Sequence, residues 1–191
     1  MSSSRFSAVL LAAGQSSRMG RDKALIEVDE RVLWERQRDV LVATGAYEVF
    51  LSARPDQEWA KKAKGFNAVL HDGNPGCGPL TGIAAALERS TTTHLVVLAI
   101  DLPRMIPQWL DALLEERTPG VGGVGSHNNF YEPLAAVYPR EFLPRIWEAM
   151  AAAQYGLQPL LKKAEDDGMM RAFEIGEVEA PWFENWNDIR G

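Results

Sequence analysis

Small residues and cations are concentrated in one segment of the sequence, residues 11–23, which follows an apolar run. Gly14 and two serines lie in it, and they would let backbone N–H and hydroxyl groups approach a phosphate closely. The segment continues with three cations, Arg18, Arg21 and Lys23, and one aspartate, so its local charge is +2. These residue types suit a loop that binds a phosphorylated ligand, although by themselves they fit a solvated surface loop equally well.

The spacing of this segment excludes two common phosphate-binding motifs. A P-loop requires a lysine that directly follows a glycine and precedes serine or threonine, whereas Lys23 follows Asp22 and precedes Ala24. The dinucleotide-binding fingerprint requires G-x-G-x-x-G, whereas Gly14 is followed by Gln15 and Ser16. The segment therefore predicts a phosphate site of another kind.

Asp101 is the second candidate for chemistry, because it follows the apolar run 95–100. Open α/β sheets bind ligands at the carboxyl ends of their strands, and Mg²⁺ prefers one or two carboxylates together with substrate phosphates. The position therefore predicts a metal ligand. The alternative is an N-cap of the helix that begins at Pro107, although six residues separate the two.

An α/β fold must position these residues, because short apolar runs alternate with helical patterns in the first half of the chain. The runs show little alternation, as expected of strands buried on both faces, and they predict strands over 7–11, 48–52, 67–70 and 95–100. A helix is predicted from Leu33 to the break at Gly45, and further helices open at Pro79 and Pro107.

The second half of the chain is predicted to form an insertion on the same sheet. Four glycines at 120, 122, 123 and 125 predict a loose segment before a strand over 130–138. Helices are expected over 142–153 and 157–164, with a late strand over 170–175. Because no linker or repeat separates the halves, we expect one domain over 1–191, with a nucleotide-binding half over 6–105 and an acceptor-binding half over 106–191.

The composition excludes several classes of protein. The chain has 191 residues, with 20 basic and 26 acidic side chains and a net charge of −6, which argues against a general nucleic-acid binder. No apolar run approaches the roughly 18 residues of a membrane span. A single cysteine, Cys77, can form no internal disulfide, which fits a reducing compartment, and we expect the cytoplasm.

The segment 11–23 resembles the signature loop of the MobA-like NTP transferase family, which comprises molybdenum cofactor guanylyltransferase and its relatives. The family pattern is a strand ending in L-A-[AG]-G, then R-M-G and a lysine. Four further segments resemble the family in the same order: Asp72 with G-P-L-T-G at 78–82, I-D-L-P at 100–103, E-P-L at 132–134 leading to Tyr138, and N-W-N at 185–187.

The resemblance implies a single-domain Rossmann-like nucleotidyltransferase fold, a mostly parallel mixed sheet with helices on both faces. It implies catalytic roles for Arg18, Lys23 and Asp101, and metal ligation by Asp101 and Asn187. The residues implied to bind the nucleotide are Leu11, Ala12, Ala13, Gly14, Lys23, Ser52, Asp72, Gly78, Pro79 and Leu80. Asp72 could instead cap a turn with Gly73.

The implied reaction is Mg²⁺-dependent transfer of GMP from GTP to molybdopterin, with release of pyrophosphate. The implied partners are GTP or another NTP and molybdopterin, with transient contacts to proteins that make or receive the cofactor, and neither a nucleic acid nor a membrane.

Two departures from the family pattern keep alternatives open. Ala13 stands where guanylyltransferases often have a second glycine, and Ser52 stands where the family often presents asparagine to the base. A cytidylyltransferase that uses CTP with molybdopterin or a small phosphorylated alcohol is therefore one alternative. The chain after Asn187 also departs from the usual continuation, which leaves a nucleotide-binding regulatory protein without turnover as the other.

Overall fold

The computed structural model describes residues 5–14, 22–71 and 76–185. The strands are β1 Ser7–Leu11, β2 Glu27–Val28, β3 Arg31–Val32, β4 Glu48–Ala53, β5 Ala68–His71, β6 His94–Ala99, β7 Gly122–His127, β8 Phe130–Pro139 and β9 Met170–Glu174. The α-helices are α1 Leu33–Ala43, α2 Pro79–Arg89, α3 Pro107–Glu115, α4 Leu143–Ala151 and α5 Leu157–Asp166. Short 3₁₀ turns lie at Lys23–Leu25, Ala60–Lys62, Arg140–Phe142 and Ala180–Phe183. None of the helices described is long and apolar enough to cross a bilayer.

Seven strands form one mixed sheet in the order β5-β4-β1-β6-β8-β7-β9, and β2 and β3 form a separate hairpin. The first four strands of this order are parallel to one another. Strand β8 is antiparallel to both β6 and β7, whereas β9 runs parallel to β7. This arrangement confirms the predicted fold class, and the second half of the chain does extend the same sheet.

Two apolar cores cover the two faces of the sheet. Alternate residues of β1 belong to different cores: Leu10 packs in the cluster that includes α1 and α3, and Val9 packs in the cluster that includes α2, α4 and α5. Both side chains are fully buried. Burial on both faces explains why the sequence of this strand shows no alternation of apolar and polar residues.

The strand register brings three chain segments to one edge of the sheet. Leu11 is paired with Ser52 of β4 and with Ala99 of β6, so the segments after β1, β4 and β6 leave the sheet side by side. Because β8 is antiparallel to β6 and pairs Ala135 with Leu98, the residues before 135 extend beyond this same edge. The edge therefore carries the candidate site.

The predicted loose segment at the glycines of residues 120–125 is wrong for three of its four glycines, since only Gly120 lies in a turn. Gly122, Gly123 and Gly125 lie in strand β7 and are buried. A Cβ at Gly122 would lie 2.1 Å from the carbonyl oxygen of Val137, and one at Gly125 would lie 2.8 Å from the indole of Trp109. The glycines thus permit close packing in a strand rather than a flexible connection.

The other predicted elements are confirmed with shifts of a few residues at their ends. Helices α2 and α3 begin at the predicted prolines, and α1 ends just before Gly45. Strand β9 lies within the predicted late strand. The division of the chain into a nucleotide half and an acceptor half stays a prediction.

Candidate active site

A cavity of about 690 Å³ opens at the carboxyl ends of the parallel strands. This volume lies within the usual range of small-molecule sites, roughly 300–1,000 Å³. The predicted site residues that line it are Leu11, Ala13, Gly14, Ser52, Gly78, Pro79 and Asp101. The structure therefore brings together residues from four segments of the sequence that are far apart along the chain.

Helix α2 packs directly onto the strand ends that form the cavity floor. Gly78 has a φ of +65°, which favours glycine, and it precedes Pro79 at the first turn of the helix. At Gly82, a Cβ would lie 2.7 Å from Ser52 Oγ and 2.8 Å from Leu11 Cδ2. Glycine at this position thus allows the close approach of helix and sheet without displacing these side chains.

Three of the described residues predicted to bind the nucleotide do not line the cavity: Lys23, and the buried residues Leu80 and Ala12. The side chain of Leu80 is fully buried in the core between α2 and the sheet. Ala12 is also buried, and its N–H donates a hydrogen bond of 2.8 Å to the carbonyl oxygen of Ser52. The side chains of Leu80 and Ala12 belong to the framework of the site.

Asp101 leaves β6 at the edge of the cavity, as predicted. Its Oδ2 accepts a hydrogen bond of 3.0 Å from Asn185 Nδ2 and lies 4.0 Å from Lys23 Nζ. The alternative role as a helix N-cap is wrong, because the residue at the N-cap of α3 is Ile106. The Asp101 side chain is 25% exposed and that of Lys23 is 13% exposed, so this pair is only partly screened by water.

The carboxylate of Asp101 is a suitable ligand for a divalent cation such as Mg²⁺. This ion takes oxygen ligands, and one or two protein carboxylates suffice when substrate phosphates supply the other oxygens. Within residues 5–14, 22–71 and 76–185, no group of three or more His, Cys, Asp or Glu residues could form a metal cage. Of the two residues predicted to ligate a metal, Asp101 and Asn187, the structure describes Asp101 alone.

Lys23 lies in a short 3₁₀ turn that Asp22 holds in place. The Oδ1 atom of Asp22 accepts a hydrogen bond from Ala24 N at 3.1 Å. Its Oδ2 accepts two more, from Gln57 Nε2 and from Trp59 Nε1, each at 2.7 Å. Asp22 is therefore a structural residue that fixes the start of the turn carrying Lys23.

Arg54 is a cavity residue that sequence analysis missed. It follows β4, lines the cavity, and donates from Nη1 to the carbonyl oxygens of Ala13 at 3.0 Å and Gly14 at 2.7 Å. Its Nε also contacts Asp56 Oδ1 at 3.1 Å. Only the pairing of β1 with β4 brings it to this position, and no local motif indicates that pairing.

The start of β8 forms the opposite side of the site. Leu134 lines the cavity, and Glu132 is half-buried nearby. Burial raises the pKa of the Glu132 carboxyl; His127 acts in the opposite direction, and the negative charge of Asp101 raises this pKa further. Tyr138 is fully buried instead, and its hydroxyl donates to the carbonyl oxygen of Pro133 at 2.9 Å, which makes it a support of this wall.

Three of the predicted site residues, Arg18, Asp72 and Asn187, lie outside the described residues. Their assigned roles in phosphate binding, nucleoside binding and metal ligation stay predictions. The neighbouring Arg21 likewise falls outside the described residues.

The sequence of this chain is similar to that of known proteins over most of its length. A profile of the MobA-like NTP transferase domain matches residues 8–168. The chain is 32% identical over 187 residues to a probable molybdenum cofactor guanylyltransferase of Opitutus terrae, covering 96% of this chain and 91% of that protein. It is 29% identical over 185 residues to a protein of the same description from Methanosarcina mazei, covering 91% and 81%.

A similar fold is found in the crystal structure of molybdopterin-guanine dinucleotide biosynthesis protein A from Archaeoglobus fulgidus. The TM-score is 0.74 at 20% identity, covering 94% of this chain and 91% of that one. With the profile matching most of the chain and described residues of four signature segments lining the cavity, this chain belongs to the MobA-like NTP transferase family.

Proposed function

We propose that this protein is a molybdenum cofactor guanylyltransferase, which transfers GMP from GTP to molybdopterin. An oxygen of the acceptor phosphate attacks the α-phosphorus of GTP, the bond to the β-phosphate bridging oxygen breaks, and pyrophosphate leaves. The observation that carries the proposal is the approach of Lys23 to Asp101 at the cavity formed by Ala13, Gly14 and Gly78. The names of the curated relatives support the choice of substrates.

The described residues support a mechanism based on positioning and charge. Ala13 and Gly14 approach the cavity with small side chains or none, so a nucleotide can lie against the backbone. Lys23 would neutralise charge on the phosphates, and its turn is fixed by Asp22. Phosphoryl and nucleotidyl transfer require mainly alignment and electrostatic stabilisation, so no covalent intermediate with the protein is needed.

Asp101 would hold a Mg²⁺ ion, together with Asn187 as the sequence motif indicates. When bound, the ion would supply positive charge to the phosphates of GTP. Asn185 donates to Asp101 Oδ2, so it would fix the orientation of the carboxylate. The chain would act as one domain in the cytoplasm, where it would contact the proteins that make or receive the cofactor.

Release of pyrophosphate tests this proposal directly. The purified protein is incubated with Mg²⁺, molybdopterin and each of GTP, CTP, ATP and UTP in turn. The proposal predicts release with GTP, and release that depends on molybdopterin. Release with CTP alone would show a cytidylyltransferase, and binding of a nucleotide without release in any mixture would favour the regulatory alternative.

A further inference from the structure

Three side chains after β4 contact both ends of the segment 12–22. Gln57 Nε2 donates to the carbonyl oxygen of Ala12 at 3.0 Å and to Asp22 Oδ2 at 2.7 Å. Trp59 donates to the same Asp22 oxygen, and Arg54 donates to the carbonyl oxygens of the two residues that follow Ala12. We name these three residues, Arg54, Gln57 and Trp59, the loop bracket.

The loop bracket fixes the direction of the peptide groups in residues 12–14. In a trans peptide the C=O group and the following N–H group point in opposite directions. Because the loop bracket donates hydrogen bonds to the carbonyl oxygens of Ala12 and Ala13, the N–H groups of Ala13 and Gly14 point away from the loop bracket. Both residues line the cavity, and among the described residues neither N–H has a hydrogen-bond partner. Adjacent N–H groups of this kind form an anion-binding surface.

Gln57 is buried, so its side-chain amide must be hydrogen-bonded for the fold to be stable. Its side chain is only 4% exposed, and burying an amide is unfavourable unless its polar atoms are paired. They are paired: besides the two bonds from Nε2, its Oε1 accepts from the backbone N of Arg54 at 2.6 Å. Gln57 does not line the cavity, so it can act on a ligand only through the residues that it holds.

We propose that Gln57 and Arg54 are positioning residues of the nucleotide site. They hold three consecutive carbonyl groups so that the N–H groups of Ala13 and Gly14 face the anionic part of the nucleotide. Through Asp22, the bracket also sets the position of Lys23. The inference rests on the proposed function in one respect, since it takes the ligand to be a nucleoside triphosphate.

The first test is equilibrium binding of GTP to the full chain carrying Gln57→Met, without acceptor. Methionine has nearly the same volume and cannot make the hydrogen bonds. We expect the dissociation constant of GTP to rise about tenfold or more, as for the loss of at least one net hydrogen bond. The matched control is Thr92→Val, which removes a buried hydroxyl bond of 2.9 Å to the carbonyl of His94 at the opposite edge of the sheet. It should lower the melting temperature and leave GTP binding unchanged.

The second test replaces Arg54, whose side chain is partly exposed, so that the fold should tolerate the change better than Gln57→Met. Lysine keeps the charge but lacks the forked donors of arginine. If Arg54 holds carbonyl groups, Arg54→Lys should bind GTP about as weakly as Arg54→Met. Recovery of wild-type affinity in Arg54→Lys would show that it acts as a charge on the phosphates, and would overturn its positioning role.

The two tests separate this inference from the proposed function. Wild-type affinity for GTP in both Gln57→Met and Arg54→Lys, with binding by the unmodified protein intact, would overturn the inference alone. Absence of binding of any nucleoside triphosphate to the unmodified protein would overturn the proposed function, and the inference with it.

Discussion

Asn185 donates a hydrogen bond of 3.0 Å from its side-chain amide to Oδ2 of Asp101, which connects the last described residue of the chain to the end of β6. The bond restricts the rotation of the carboxylate that faces Lys23. The second half of the chain thereby contributes directly to the candidate site, although most of the cavity is formed by the first half.

Replacement of Asn185 by leucine should lower kcat for pyrophosphate release by about 10- to 100-fold, the usual effect of removing a residue that orients a metal ligand. The affinity for GTP in the absence of metal should change little, because Asn185 does not line the cavity. Steady-state kinetics together with the melting temperature check this expectation. An unchanged kcat in a folded variant would contradict the orienting role.

Replacement of Asp101 by asparagine should lower turnover by about 100-fold or more. The variant loses the carboxylate charge that would hold the Mg²⁺ ion. The fold should remain intact, because the side chain is partly exposed and an amide can occupy the same space. Asp111→Asn provides the matched control: this carboxyl lies in α3, and burial and then Glu115 raise its pKa, so loss of its charge should be tolerated. Equal activities of the two variants would exclude a metal role for Asp101.

Replacement of Gly82 by alanine should raise KM for GTP and lower the free energy of unfolding by roughly 1–3 kcal/mol, the usual cost of overpacking. The new Cβ would lie 2.7 Å from Ser52 Oγ and 2.8 Å from Leu11 Cδ2, so either these buried side chains or α2 must shift. The double variant Gly82→Ala with Ser52→Ala removes the closer atom and should recover part of the stability. Denaturant unfolding measures both effects.

Gly156→Ala is the control for Gly82→Ala, because its nearest neighbour would lie 3.5 Å from the new Cβ, at an ordinary contact distance. Its φ of −76° is also open to alanine. This variant should keep wild-type stability within about 0.5 kcal/mol. Equal destabilisation by the two alanines would contradict the packing argument at Gly82.

His94 should make the stability of the protein depend on pH. Its ring is buried, and this burial lowers the pKa of the imidazole below its ordinary value of 6.5. Nε2 lies 3.1 Å from the carbonyl oxygens of Thr118 and Val121, so this nitrogen carries the proton of the neutral ring. Below pH 6.5 the unfolded chain takes up a proton that the folded chain resists, so the free energy of unfolding falls as the pH falls.

The variant His94→Gln tests this contribution, because the amide keeps a donor and does not titrate. We expect a smaller loss of stability between about pH 8 and about pH 5 than in the unmodified protein, measured by urea unfolding. Above the ordinary histidine pKa the contribution of His94 to the pH dependence should vanish. The same dependence in both proteins would assign it to other groups.

The sequence predicts most of the helices and strands because the residues that start and end them act locally. Pro79 and Pro107 mark helix starts by their fixed backbone angle and missing N–H group, and Gly45 marks the end of α1. The glycines of β7 mislead for a physical reason: they serve close contacts with Val137 and Trp109, and these contacts depend on distant parts of the chain.

The residues of the site likewise divide into those that a local motif indicates and those that only distant contacts bring into place. Asp101 and Gly78 are recognisable from motifs, whereas Arg54 and Gln57 stand in no motif that indicates their role. They reach the carbonyl groups of Ala12, Ala13 and Gly14 only because β1 pairs with β4 with Leu11 opposite Ser52. A register between strands about 40 residues apart cannot be read from local spacing.

The fate of the α-phosphate of GTP distinguishes nucleotidyl transfer from transfer of the γ-phosphate. The protein is incubated with Mg²⁺, molybdopterin and GTP that carries radioactive phosphorus at either the α or the γ position. Nucleotidyl transfer predicts that the α label appears in a molybdopterin dinucleotide and that the γ label appears in pyrophosphate. Appearance of the γ label in inorganic phosphate or in molybdopterin, with the α label retained in GDP, would contradict nucleotidyl transfer by this protein.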